Sequence, residues 1–159
     1  MKKKVYYILI LFICSNCSKE NIQWTSKRET TTHYGGKPKK EIFILSFLKK
    51  GDTLQYEYIS EIDSAKTVLI KTIKNSNSLS FGGTKFINSD RELFSNQKLN
   101  NFEFDYYNLE YPVTDGTGPI LFNEQYGLLA INNVFGPTII FLEKMDDDLT
   151  ELIISELNK

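Results

Sequence analysis

The sequence predicts a mainly β protein: a single antiparallel, strongly curved sheet, either a partly open barrel or a sandwich, with a C-terminal α-helix packed on it. Three observations carry this. Apolar residues recur with period two, most clearly over residues 53–59, where Leu54, Tyr56 and Tyr58 alternate with Thr53, Gln55 and Glu57. Successive strand side chains point to opposite faces, so the pattern marks a half-buried strand. The connections between such segments are too short for the crossover helix that a parallel pair requires. Only the chain end changes period: Leu149, Leu152, Ile153 and Leu157 fall on one helical face. About eight short strands are expected, and that number calls for curvature or closure.

The elements follow in order. Residues 22–34 alternate loosely, with Ile22, Trp24, Thr30, Thr32 and Tyr34 on matching parity, and read as an edge strand. Gly35-Gly36-Lys37-Pro38 ends it. Residues 42–48 (IFILSFL) form a β-rich apolar run, and Lys50-Gly51-Asp52 turns it into the strand at 53–59 as a hairpin. Residues 67–73 (TVLIKTI) are β-branched, and 79–87 continue as a strand bent at Gly82-Gly83. Ser89-Asp90-Arg91-Glu92 matches a capping box, which predicts a helical turn. Phe102, Phe104 and Tyr106 alternate with Glu103, Asp105 and Tyr107, so 102–107 is a strand with its acidic face in water. Residues 111–119 (YPVTDGTGP) are the most turn-rich stretch, and three short strands at 120–122, 127–131 and 138–142 come after it. Asp146-Asp147-Asp148 then caps a helix over 147–158, its carboxylates favoured at the positive end of the helix dipole.

The first twenty residues have a different character. Lys2, Lys3 and Lys4 precede an apolar run over 5–13, followed by Cys14, Cys17 and the polar Ser18-Lys19-Glu20. The run is shorter than the roughly 20 residues that cross a bilayer, and its charged start fits an export signal. No Ala-x-Ala site closes it. A cysteine does, and the segment resembles the lipobox of bacterial lipoproteins. The resemblance implies cleavage before the cysteine and acylation of its thiol with palmitate-like chains. Cys17 suits the role better than Cys14, because Asn16 before it is smaller than Ile13 and the apolar run is longer. The expected organisation is a signal peptide at 1–16, a lipidated cysteine and tether at 17–21, and one β-rich domain at 22–159. The resemblance also implies a protein anchored to the membrane through acyl chains on Cys17, in the bacterial cell envelope and most naturally at the outer membrane.

Composition narrows the functional classes. Removing three of the 19 basic side chains leaves 16 against 20 acidic ones, a net charge of −4. Such a surface has no general attraction for nucleic acid. The cluster Lys37-Pro38-Lys39-Lys40 is local and reads as a solvated loop. Both cysteines belong to the signal region, so the domain has neither a disulfide nor a thiolate nucleophile or ligand. His33 is the only histidine and reads as a strand-end residue, and no nucleophile-elbow, zinc-helix or phosphate-loop motif occurs. No catalytic residue, metal ligand or cofactor is assigned. Glu103 and Asp105 share a strand face, and only their convergence in a cleft would suggest an enzyme. Tyr56, Tyr58, Phe102, Phe104, Tyr106, Tyr107 and Tyr111 concentrate in two strand regions and read first as core, second as a binding surface.

The functional expectation is therefore non-enzymatic recognition of a protein or ligand. One alternative is carriage of an apolar ligand in a curved-sheet cavity. The other is an immunity-type inhibitor of a toxin. Loops on a rigid scaffold carry recognition, which makes 111–119 the candidate binding loop, with Tyr111, Thr114 and Asp115 its candidate residues. Its rival is the basic loop at 35–40.

Overall fold

Strand formation follows the period-two runs closely. The computed structural model describes residues 22–35 and 38–159. The signal peptide, Cys17 and the tether lie outside the described residues, as do Gly36 and Lys37. Eleven strands are described: β1 (Ile22–His33), β2 (Lys39–Lys50), β3 (Thr53–Ser60), β4 (Thr67–Ile73), β5 (Ser78–Phe81), β6 (Thr84–Asn88), β7 (Phe94–Ser95), β8 (Glu103–Leu109), β9 (Thr117–Asn123), β10 (Gly127–Asn133) and β11 (Thr138–Leu142). A short 3-10 helix occupies Gln97–Leu99, and the helix α1 spans Asp147–Leu157.

Every described pairing is antiparallel, and apart from β6 and β7 neighbours in the chain are neighbours in the sheet. The ring closes twice over. β1 pairs with β11 (Thr31 opposite Ile140), and β6 pairs with β8 (Ile87 opposite Asn108). The result is a closed ten-strand barrel, with β7 outside it on the edge of β8. Closure removes the edges that an open sheet would expose. It also corrects the reading of β1, which is paired on both sides rather than at an edge. Its polar inward positions concealed this: Arg28 and Thr30 are buried inside the barrel, where a hydrophobic pattern is expected.

Two cores result. Phe43, Leu45, Tyr56, Tyr58, Ile70, Phe86, Tyr107, Phe122 and Phe141 fill the barrel interior. Their rings meet edge-on or tilted, as quadrupoles prefer, with Tyr56 and Phe122 centroids 5.1 Å apart. A second core lies outside the barrel, where Phe104, Tyr106, Leu121, Leu129, Ala130, Ile140 and Leu142 meet Leu149, Ile153 and Leu157 of α1. Along their middles, strands β9–β11 are therefore dry on both faces. A bulge between Leu128 and Ala130 serves this, since it lets Leu129 and Ala130 both face the helix while Leu128 and Ile131 point inward.

Three local expectations need correction, and a fourth is narrowed to one residue of the aspartate run. Gly82 and Gly83 do not bend one strand; both take positive φ (57° and 78°) and form the two-residue turn between β5 and β6. The Ser89–Glu92 segment is not helical, because the Asn88 side chain accepts the Asp90 N–H (2.9 Å) and Ser89 bonds the Tyr106 carbonyl. In α1 the cap is Asp146, which accepts the Leu149 N–H at 2.9 Å. On the same helix Leu152 is 40% exposed, and Thr150 takes the buried place beside Leu149.

Candidate functional site

Because the strands run up and down, the hairpin loops divide between two ends. The β1–β2, β3–β4, β5–β6, β8–β9 and β10–β11 loops gather at one end, here the loop end. The other end receives the start of β1 and the β2–β3, β4–β5 and β9–β10 turns.

The loop end brings together both sequence candidates. The β10–β11 loop stands between the β8–β9 loop, which carries Tyr111, Thr114 and Asp115, and the β1–β2 loop, because β1 closes on β11. Tyr111 is 80% exposed, and Thr114 and Asp115 are exposed beside it. The Val134 N–H donates to the Gly116 carbonyl (3.4 Å), linking two of the loops. Asparagines hold the base. Thr117 donates to Asn133 Oδ1 (2.6 Å), Asn133 Nδ2 donates to the Pro137 carbonyl (2.6 Å), and Thr138 donates to Asn132 Oδ1 (2.9 Å). Asn132 Nδ2 reaches the Leu157 carbonyl at the end of α1 (3.5 Å). The tips are apolar: Tyr34, Ile62, Val113, Val134 and Phe135 are all more than half exposed. Tyr34 and Phe135 flank an open cleft of about 700 Å³ that also includes His33.

Sequence reasoning missed Phe135 and Val134. The signal was present, because two large apolar residues stand between Asn132-Asn133 and Gly136-Pro137, where turn residues alone are expected. Pro38, Lys39 and Lys40 of the basic cluster are exposed, in keeping with its reading as a solvated loop, although the two lysines belong to a strand. Lys39 and Lys40 open β2 and are both engaged, Lys39 with Glu41 (3.0 Å) and Lys40 with Asp147 (2.8 Å). The Glu41 carboxylate also accepts Lys66 Nζ, and these two hydrogen bonds hold its pKa below the usual carboxylate range.

At the opposite end the β9–β10 turn closes the barrel. Tyr56 Oη donates to the Glu124 carbonyl (2.5 Å), and the Leu128 N–H donates to Tyr58 Oη (2.6 Å). Burial pushes the pKa of both phenols up. The Arg28 guanidinium lies 4.5 Å over the Tyr126 ring, donates to the Tyr126 carbonyl (3.0 Å) and faces Glu143 at 3.6 Å. These contacts compensate a charge buried inside the barrel. The acidic face of β8 is wet, as its alternation suggested, but it lies at the barrel mouth. Asp105 and Tyr107 point into the barrel mouth, while Phe104 and Tyr106 lie under α1. Glu103, Asp105 and Glu124 share a polar cleft there. Of the C-terminal aspartates, Asp146 pairs with Lys98 (2.7 Å) as well as capping the helix.

No family model, curated protein or solved structure matches this chain.

Proposed function

We propose that the protein is a lipoprotein of the bacterial envelope, anchored by acyl chains on Cys17, whose barrel recognises a protein partner with its loop end. One observation carries this reading. Six of the ten exposed large apolar side chains among the described residues stand on loops at that end. Exposed apolar groups clustered on loops, rather than scattered, mark interaction surfaces, and aromatic residues are enriched in them. Asn132, Asn133 and Thr138 hold the loops on a closed barrel, so little ordering entropy is lost on docking. The direction of the chain agrees. Ile22 opens β1 at the other end, five residues after Cys17, so an anchored barrel presents its loop end away from the lipid.

The interior speaks for recognition from outside rather than for carriage. Tyr56, Tyr58, Phe122 and Phe141 occupy the space that an apolar ligand would need. An immunity-type inhibitor would use the same loop surface and is a special case of this proposal. Glu103, Asp105 and Glu124 do share a cleft, but Asp105 accepts from Asn88 (2.8 Å) and Glu124 from the Asn75 N–H (2.9 Å). Such arrangements suit holding a ligand, and no turnover is proposed.

A photo-crosslinking amino acid at Phe135 tests the surface, with one at Ile73, on the opposite end, as control. A discrete adduct is expected from Phe135 in living cells and not from Ile73. It should vanish when Tyr111→Asp and Tyr34→Asp are added, with Tm unchanged within a few degrees. Equal adducts from both positions reject the loop end. Radioactive palmitate should label the wild type and not Cys17→Ser. Label lost in Cys14→Ser alone reassigns the anchor.

A further inference from the structure

We infer that the end of the barrel at which β1 starts rests on an anionic phospholipid surface, with Lys49, Lys50, Lys71 and Lys74 facing the lipid phosphates and Ile22 and Ile73 entering the headgroup layer. This surface is separate from the loop end. The choice of a membrane as its occupant rests on the reading of Cys17 as the anchor, whereas the patch itself is a property of the barrel.

Sheet register builds the patch. Opposite residues of an antiparallel pair share one side of the sheet. Ile22 is opposite Leu48, Leu48 opposite Gln55, and Gln55 opposite Lys71, which makes one row across β1–β4. The next row toward the end carries Lys50, Thr53 and Ile73. Lys49 stands between the rows on β2. Below them the β2–β3 and β4–β5 turns are joined, because the Lys74 N–H donates to the Asp52 carbonyl (2.8 Å).

Charge sets this surface apart. Lys49, Lys50, Lys71 and Lys74 are all exposed, and none pairs with a carboxylate among the described residues. Lys144 is the only other described lysine of which this is true, since Lys27, Lys39, Lys40, Lys66, Lys85, Lys98 and Lys159 all form ion pairs. Asp52 is the single acid in the two turns. The acids of the polar cleft, Glu103, Asp105 and Glu124, belong to β8 and the β9–β10 turn. The end is thus divided into a basic wall and an acidic one, although the chain as a whole is acidic. Ile22 and Ile73 are 54% and 59% exposed in the rows that carry the lysines.

Lysines beside exposed apolar groups suit a membrane interface, where the apolar groups are buried at the headgroup level and anionic lipids attract the cations. The course of the chain selects the membrane over an acidic protein. β1 begins at the patch, and Ile22 lies five residues after Cys17, a span of at most about 18 Å. An acylated Cys17 therefore holds these lysines close to the headgroups, where a basic patch acts as a second membrane signal beside the acyl chains.

The full chain carrying Cys14→Ser and Cys17→Ser tests this without acylation, so the outcome is independent of the lipid anchor. An environment-sensitive fluorophore is attached at Ile73→Cys or, as control, at Phe135→Cys. The vesicles are phosphatidylcholine alone or phosphatidylcholine mixed with phosphatidylglycerol. The apolar run over 5–13 holds the chain to either kind, so the readout is the environment of the label and not sedimentation. A blue shift at position 73 is expected with phosphatidylglycerol, reversed by molar salt and absent with phosphatidylcholine. No shift is expected at position 135. Charge reversal of the four lysines to Glu should reduce the shift severalfold with Tm unchanged within a few degrees, whereas Lys144→Glu should leave it as it was. Equal shifts with both lipids, no shift with either, or an unaltered shift in the fourfold variant would overturn the proposal. A response to polyglutamate and none to vesicles would overturn it too and assign the patch to an acidic protein. Failed palmitate labelling with an intact shift would reject the anchor at Cys17 and leave the docking surface standing.

Discussion

Gly127 opens β10 with φ at +92°, and a Cβ at that position would collide with the Tyr58 hydroxyl. Both facts follow from one contact. The β9–β10 turn enters the barrel end closely enough for the Leu128 N–H to reach Tyr58 Oη. A side chain at 127 would meet left-handed backbone strain and overpacking together, each costing roughly 1–3 kcal/mol. Gly127→Ala should therefore lower stability by about 3 kcal/mol in urea denaturation, whereas Gly35→Ala, with the same sign of φ but open space around it, should cost less. Gly127 carries no signal in the sequence, where it is one glycine after a tyrosine. Tyr107 was likewise visible only as one member of an aromatic group. Its place between the barrel core and the polar cleft depends on where β6 stops. Tyr111, Thr114 and Asp115 were legible as an exposed turn because their neighbours are turn formers.

The helix α1 shows how far an element can be read. The change of period, the acidic start and the length were all in the sequence, and Asp147–Leu157 agrees with the expected 147–158 to one residue. The exact face was not, because a helical stripe leaves a margin of one position on either side, and only the sheet decides which side is covered. Ile153 is fully buried, and Leu152 is 40% exposed. Ile153→Asp should cost about 4 kcal/mol as an unpaired buried charge, and Leu152→Asp less than about 0.5 kcal/mol. Asp146→Ala should cost about 1 kcal/mol as a lost cap. Asp147→Ala should be nearly silent, because Asp147 is largely exposed and pairs with Lys40 at the surface. Thermal melts of the four variants check the order. The Gly82-Gly83 pair and the capping-box segment failed for a related reason: each pattern admits two local structures, and the pairing of β6 with its hairpin partner β5 and with the more distant β8 selected one.

At the scale of the whole barrel, Glu41 ties strands together across the loop end, accepting Lys39 and Lys66. Its folded pKa is depressed, so its contribution is present above the unfolded value, about 4.3, and is lost as pH falls through the folded one. Melting from pH 7 to pH 3 should show a falling Tm, and Glu41→Gln should have a lower Tm at pH 7 and a shallower acid limb. Parallel curves for the two proteins would show that other carboxylates set the acid behaviour.

By itself the sequence determined the mainly β class, the antiparallel order and the terminal helix, although it suggested about eight strands where eleven form. These follow from local periodicity and from connections too short to cross over. It also marked 111–116 as a turn-rich connection, exposed over 111–115. Closure was decided only in three dimensions. Whether β1 meets β11, and β6 meets β8, depends on the accumulated twist of ten strands and on inward positions that hold Arg28 and Thr30 where a hydrophobic pattern is expected. That same closure gathered Tyr34, Tyr111 and Phe135 at one end and placed Asp105 and Glu124 in one polar cleft at the other. Residues far apart in the chain share a surface only after the ring is complete, and no spacing along the sequence encodes which of them will meet.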